Sequence, residues 1–200
     1  DSKCILGILY IYFHRKKNIS HWFIKRYSKC ITKIIKISPR HFTPLIQPEL
    51  QEIYGIGTEK GGDLLLGANH GRVYMLSEKR LHAYKPAVRQ VCANANINDF
   101  HTDQYGNNWM ASEYEGLIME TRGKRKIFGK KDGLHDEGLF ALMPDSRGNF
   151  WAVGDAGVSR IRAIGTNKTP EMQAFRFIQS QEGLVTLQCG IEDPDGGMWF

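Results

Sequence analysis

No stretch of this 200-residue chain is apolar for the ~20 residues that a membrane-crossing helix needs. The longest apolar run, Cys4 to Phe13, is ten residues. Its basic residues, His14-Arg15-Lys16-Lys17, follow the run, and no Ala-x-Ala site comes after it, the reverse of a secretory signal. Cysteine is scarce: Cys4, Cys30, Cys92 and Cys189 lie far apart without C-x-x-C spacing. That supports neither a zinc site nor a disulfide framework and leaves mostly buried free thiols as the expectation. G-x-S-x-G, H-E-x-x-H, P-loop and G-x-G-x-x-G sequences are all missing, so no catalytic residue, metal or cofactor is expected from the common hydrolase, metalloprotease and nucleotide-site signatures.

The formal charge of +6 and pI near 9.1 would suggest a polyanionic partner if the charge were uniform. It is not. Residues 1–41 hold ten Lys/Arg against one Asp, whereas residues 42–200 hold 17 Lys/Arg against 20 Asp/Glu. The larger part is mildly acidic, and no nucleic-acid partner is expected. Two domains follow: a basic, apolar stretch over 1–41 and a second domain over 42–200. The first reads in three ways: the end of a transmembrane helix, a membrane-surface stretch around Trp22-Phe23-Ile24, or sequence foreign to the domain. A positive-inside flank there would put the remainder in the cytoplasm.

What the chain has is a tetrad at nearly constant spacing: Asp103-Gln104-Tyr105-Gly106 before Trp109, Asp145-Ser146-Arg147-Gly148 before Trp151, and Asp193-Pro194-Asp195-Gly196 before Trp199. The tryptophans are 42 and 48 residues apart, a repeat period. A degenerate copy, Glu59 to Leu65, has Leu65 at the Trp position. An Asp that bonds its own backbone and a Gly free to take positive φ build a tight turn into each following strand. Closing glycines Gly71, Gly116 and Gly157 introduce a second strand, and further strands are expected around 174–178 and 186–192. Four short strands in ~45 residues make one propeller blade. The fold class is therefore all-β, a partial β-propeller of about three and a half four-stranded blades. The tryptophans fill the space between blades. A ring closes with at least about four blades, so the chain is expected to be a fragment.

The run from Lys131-Asp132-Gly133-Leu134 through Asp145-Ser146-Arg147-Gly148-Asn149-Phe150-Trp151 to Gly157-Val158-Ser159-Arg160 resembles the two-component regulator propeller repeat, with its D-G-L start, D-x-x-G-N-x-W centre and G-[LV]-x-R close. Gln181-Glu182-Gly183-Leu184 repeats the first half before Asp193. Virginiamycin lyase-like and NHL-like propellers share D-x-x-G-x-x-W-F, but not the Gly-Leu half. The resemblance implies the ligand-sensing portion of a bacterial membrane signalling protein, on the periplasmic side, with an unknown small molecule or oligosaccharide as ligand and a homodimer as a possible assembly. A lyase-like propeller enzyme and a protein-binding scaffold are the alternatives.

Asp103, Asp145 and Asp193 occupy one turn slot in successive blades, so they are read as turn caps instead of a carboxylate ring, with Asp195 a solvated turn residue. His70, His82, His101 and His135 share no repeat phase, and no metal ring is expected. The basic run Arg122 to Lys131 reads as a solvated outer-strand hairpin. Tyr105, Tyr114 and Phe140, aromatics outside the repeat pattern, are the candidate ligand-binding residues.

Overall fold

The computed structural model describes residues 7–16, 19–25, 31–37, 42–45, 53–59, 61–78, 80–84, 95–155, 157–176, 187 and 189–200. The chain divides into two compact units, Asp1–Tyr54 and Gly55–Phe200, so the change of character expected after residue 41 falls inside the first unit.

The described residues of the first unit lie in strands. β1 (Gly7–Lys16) pairs antiparallel with β2 (Ile19–Lys25) and parallel with β3 (Ile31–Ile37), and β4 (Phe42–Leu45) pairs antiparallel with β3. Gly7 to Phe13 of the apolar run, for which the end of a transmembrane helix is one of three readings, lie in β1, and Cys4 to Leu6 lie outside the described residues. Its alternation of Ile, Leu, Tyr and Phe is the β-branched and aromatic composition that favours a strand. Among the described residues no helix is long and apolar enough to cross a membrane.

From β5 (Ile53–Thr58) onward the chain is an antiparallel meander. β5 to β8 lie side by side in chain order, with β6 at Leu64–Ala68, β7 at Val73–Ser77 and β8 at Arg80–Ala83. β9 (Ile97–Thr102), β10 (Asn108–Ser112), β11 (Leu117–Thr121) and β12 (Lys124–Phe128) form a second four-stranded sheet. β13 (Leu139–Pro144), β14 (Phe150–Gly154), β15 (Gly157–Arg162) and β16 (Glu171–Arg176) form a third. β17 (Ile191–Glu192) and β18 (Met198–Trp199) pair antiparallel as a two-stranded sheet. This is a partial β-propeller. β16 supplies the start of the strand expected near 174–178 and β17 the end of the one expected over 186–192; Phe177, Ile178, Thr186 and Gln188 lie outside the described residues. The Gln181-Glu182-Gly183-Leu184 repeat lies outside the described residues, as do Cys4, Cys30 and Cys92. Cys189 is exposed, against the expectation of buried thiols, because it sits in the link before a two-residue edge strand.

Period-2 alternation decides what each strand faces. In β10 and β11, Met110 and Ile118 turn toward the first blade and pack with Leu65, Val73, Tyr84 and Ile97. Trp109, Ala111, Leu117 and Met119 turn the other way, onto Leu139, Leu142, Phe150, Ala152 and Ile161 of the third. Both faces of the middle sheet are thus buried. The innermost strands are also stitched across blades: Asn98 on β9 donates to the Leu139 carbonyl (2.9 Å), the Leu142 amide donates to Asp99 (2.8 Å), and Thr102 donates to the Thr58 carbonyl (3.0 Å).

One seam is polar. Between the first two blades the Tyr84 hydroxyl donates to the fully buried Glu120 (2.6 Å) and accepts from Asn108 (2.8 Å), which also donates to Glu59 (3.1 Å). Burial first, then the Glu120 carboxylate, holds the Tyr84 proton on well above the usual tyrosine range.

Candidate functional site

The Asp-to-Trp spacing has a geometric cause. Asp103 Oδ1 accepts the backbone amides of Tyr105 (2.9 Å) and Asn107 (3.0 Å), while Oδ2 accepts Asn107 Nδ2 (2.7 Å) and the Trp109 indole N–H (2.8 Å). Asp145 repeats the set with Arg147, Asn149 and Trp151. Asp193 repeats it with Asp195, Gly197 and Trp199. One carboxylate therefore closes the turn with one oxygen and anchors the inter-blade indole with the other. Gly106, Gly148 and Gly196 complete the turns at φ of 78°, 81° and 83°. In the last copy, Gly197 stands where the others have Asn and removes the side-chain donor. For Asp193 the bond from Trp199 leads in lowering the carboxyl pKa; for Asp145, burial pushes up, and the Asn149, Trp151 and Arg147 donors outweigh it.

The three aromatic candidates are not gathered. Tyr105 sits in the β9–β10 turn, 41% exposed, and Tyr114 in the β10–β11 hairpin at the opposite end of the blade, 68% exposed. Phe140 is half-buried on β13 at a register irregularity. The histidines are dispersed as well. His101 packs its ring on Phe150 with centroids 4.8 Å apart, and burial lowers its pKa to about 4 despite the opposing pull of Asp103. His135 is buried against the Ser159 hydroxyl at 2.8 Å. His70 lies in the β6–β7 turn, and His82 on β8.

Among the described residues, two clefts lie at the end of the third blade that carries the Asp145 turn. A cleft of about 320 Å³ is lined by Gln104, Tyr105, Arg147, Asn149, Arg162 and Ile164. It adjoins one of about 520 Å³ that shares Arg147, Asn149 and Arg162 and adds Arg160, Glu171 and Gln173. Its walls are fixed. The loop after β15 is tied to the preceding blade's turn: Asn107 Nδ2 donates to the Gly165 carbonyl (3.1 Å), the Asn167 amide to Asn107 Oδ1 (3.1 Å), and Thr166 Oγ1 to the Tyr105 carbonyl (3.3 Å). Arg160 donates to Gln173 (2.6 Å), and Arg162 pairs with Glu171 (3.4 Å), both at the surface. Of the candidates named from sequence, only Tyr105 lies here. The arginines escape a reading of the sequence because Arg147 fills a variable slot of D-x-x-G, and Arg160 and Arg162 read only as the polar positions of an alternating strand. The available signal is two arginines two apart on one strand, hence on one face.

The chain matches no protein-family model, and no curated protein matches it. Solved structures do share its fold. The extracellular domain of a protein designated a putative hybrid two-component system of B. thetaiotaomicron aligns over 97% of this chain at 21% identity and a TM-score of 0.63. Virginiamycin B lyase of Staphylococcus aureus aligns over 88% at 12% identity and a TM-score of 0.62. A streptogramin B lyase aligns over 84% at 15% identity and a TM-score of 0.60. The chain spans 27% of the two-component domain and 64% and 60% of the lyases. The likeness establishes a propeller fold for this chain.

Proposed function

We propose that this chain is part of a ligand-sensing propeller on the periplasmic side of a bacterial membrane signalling protein. One observation carries the reading: the complete third blade joins a Gly-Leu entry to the Asp-locked turn. Gly133, at φ of 105°, caps a short 3-10 turn and delivers the fully buried Leu134 into the seam beside Trp109. That combination is the resemblance to the two-component repeat, and the fold of a two-component extracellular domain agrees with it. The lyase-like structures share the fold at lower identity, and a lyase would need a His and an acid converging from different blades. His101 is held neutral under Phe150 at ordinary pH, and His135 is enclosed against Ser159.

The test is calorimetric titration of the chain with a panel of neutral and acidic mono- and oligosaccharides, together with assay of the same panel for turnover. Saturable binding without chemical change supports a sensor. Turnover of a bound compound would support the enzyme reading, and an absence of binding throughout would favour a protein-binding scaffold.

A further inference from the structure

We propose that the open face of the third blade is a docking surface for one further β-strand, added antiparallel to the outer edge of β18 and carrying acidic side chains against Arg160 and Arg162. The occupant is a strand of the same polypeptide, and the proposal goes beyond the sensing role without resting on it. β18 has an edge to give. The strands that carry the other two lock tryptophans are paired on both sides, β10 by β9 and β11, and β14 by β13 and β15. Among the described residues β18 pairs with β17 alone. An unpaired edge offers a row of amides and carbonyls to an incoming strand. The solved propellers that share the fold are longer than this chain, which favours a strand in the same polypeptide over one from a partner.

The face is defined by register. Trp151 aligns with Arg160 and Gln173, Val158 with Phe175, and Arg162 with Glu171, so all of these share one side of the third sheet. On the second sheet the same register aligns Trp109 with Met119. Arg160 and Arg162 therefore stand where the second blade has Met119 and Thr121, both buried. β17 and β18 already cover the apolar half of this face. Phe200 packs on Trp151 with centroids 5.6 Å apart, Ser146 donates to Glu192 from its hydroxyl (2.7 Å) and its amide (2.8 Å), and the Arg147 guanidinium lies against Gly196. The cationic half stays open: a space of about 520 Å³ is lined there by Arg147, Arg160 and Arg162, with Glu171 as its one carboxylate.

Across a seam, third strands meet third strands: Leu117 and Met119 of β11 share one buried cluster with Ile161 of β15. A strand added beside β18 accordingly lies over β15, on Arg160 and Arg162. Arg160 has only the neutral Gln173 as its partner, and Arg162 has the surface carboxylate of Glu171 at 3.4 Å. An apolar strand would bury this excess of positive charge, and a buried charge without a counter-charge is strongly destabilising. Asp or Glu at two alternate positions answers both guanidinium groups, which match carboxylate oxygens in pairs. The next position on the same side, toward Val158 and Phe175, stays apolar. The arginines thus select the strand, accepting an acidic one and repelling a basic one.

The test appends to residue 200 a short Gly-containing hairpin loop and an alternating strand of about six residues, so that the strand is presented intramolecularly. Three versions place Glu, Ser or Lys on the side toward β15. Hydrogen exchange of the β18 amides should slow at least about tenfold with the Glu strand, less with the Ser strand and not at all with the Lys strand. Arg160→Gln combined with Arg162→Gln should remove the advantage of Glu over Ser while leaving the Ser version as it was, with circular dichroism confirming that the variant folds. Equal protection by the Glu and Lys strands overturns the charge assignment, and protection by none of the three overturns the docking edge. Sedimentation of the unextended chain tests a rival occupant: a dimer whose β18 already exchanges slowly would mean that a second copy covers the face, and the proposal would fall.

Discussion

At the scale of single residues, the Asp–Trp lock occurs three times at three depths. Trp109 is fully buried, Trp151 is partly covered and Trp199 is 66% exposed. The hydrogen bonds are nearly the same in each copy, so burial is the variable. Asp103→Ala leaves a buried indole N–H and two turn amides without their acceptor, and each unmet buried donor costs about 1–3 kcal/mol. Urea unfolding should show a loss of at least about 2 kcal/mol for Asp103→Ala, less for Asp145→Ala and the least for Asp193→Ala, where water replaces the carboxylate. Equal losses at all three sites would mean that the lock acts through the turn alone.

His101 makes a second residue-scale prediction. Its folded pKa of about 4 lies below the 6.5 of the free side chain because burial disfavours the cation. Between those values the unfolded chain binds the proton and the folded chain does not, so stability falls as pH drops from 6.5 to 4, by up to about 3 kcal/mol. The lowered carboxyl pKa of Asp145 acts in the same direction at lower pH: its contribution is complete above the unfolded carboxylate range near 4 and is lost as pH falls through the folded value. His101→Phe, which keeps a ring against Phe150, should flatten the unfolding midpoint between pH 6.5 and 4. A slope unchanged by that substitution would place the titrating group elsewhere.

At the scale of elements, two glycines with almost the same backbone separate conformation from space. A Cβ added to Gly106 (φ 78°) would meet nothing within 4 Å, whereas a Cβ on Gly116 (φ 83°) would collide with the Phe128 carbonyl oxygen. Gly106→Ala should cost about 1 kcal/mol, the conformational penalty alone. Gly116→Ala should cost distinctly more, because the β10–β11 hairpin must move off β12. Thermal melts of the two variants would decide it; equal shifts would show that the hairpin yields freely. The elements are legible in the sequence because their punctuation is chemical: D-x-x-G places β10, β14 and β18, and the closing glycines place β7, β11 and β15. The first unit is harder. Cys4 to Phe13 has an apolar run compatible with a strand or a helix, and periodicity alone does not separate them. The cleft is harder still, because it depends on the 163–168 loop folding back over the previous blade's turn, a contact between residues 58 to 61 positions apart.

At the scale of the propeller unit, each blade meets only its neighbours, so stability is distributed as in other repeat arrays: an intrinsic term per blade plus a term per seam. The middle blade has two seams. Met110 and Ile118 serve one, while Trp109, Leu117 and Met119 serve the other. The third blade has its apolar seam with the second, and on its other face Val153, Val158 and Leu187 are buried, with Trp151 packed beside them against Phe175 and Phe200. Hydrogen exchange should therefore grade along the chain. Amides of β10 and β11 should be the slowest, since freeing them requires both seams to part. Those of β14 and β15 should exchange faster, and those of β17 and β18 fastest, because that pair is two residues deep and leaves Ile191 and Trp199 at the surface. Trp109→Phe keeps most of the seam but removes the indole donor, so it should accelerate β10, β11, β14 and β15 together while leaving β6 and β7 unchanged. Acceleration that spread equally to β6 and β7 would mean that the blades open as one cooperative block, and the nearest-neighbour account of this propeller would fail.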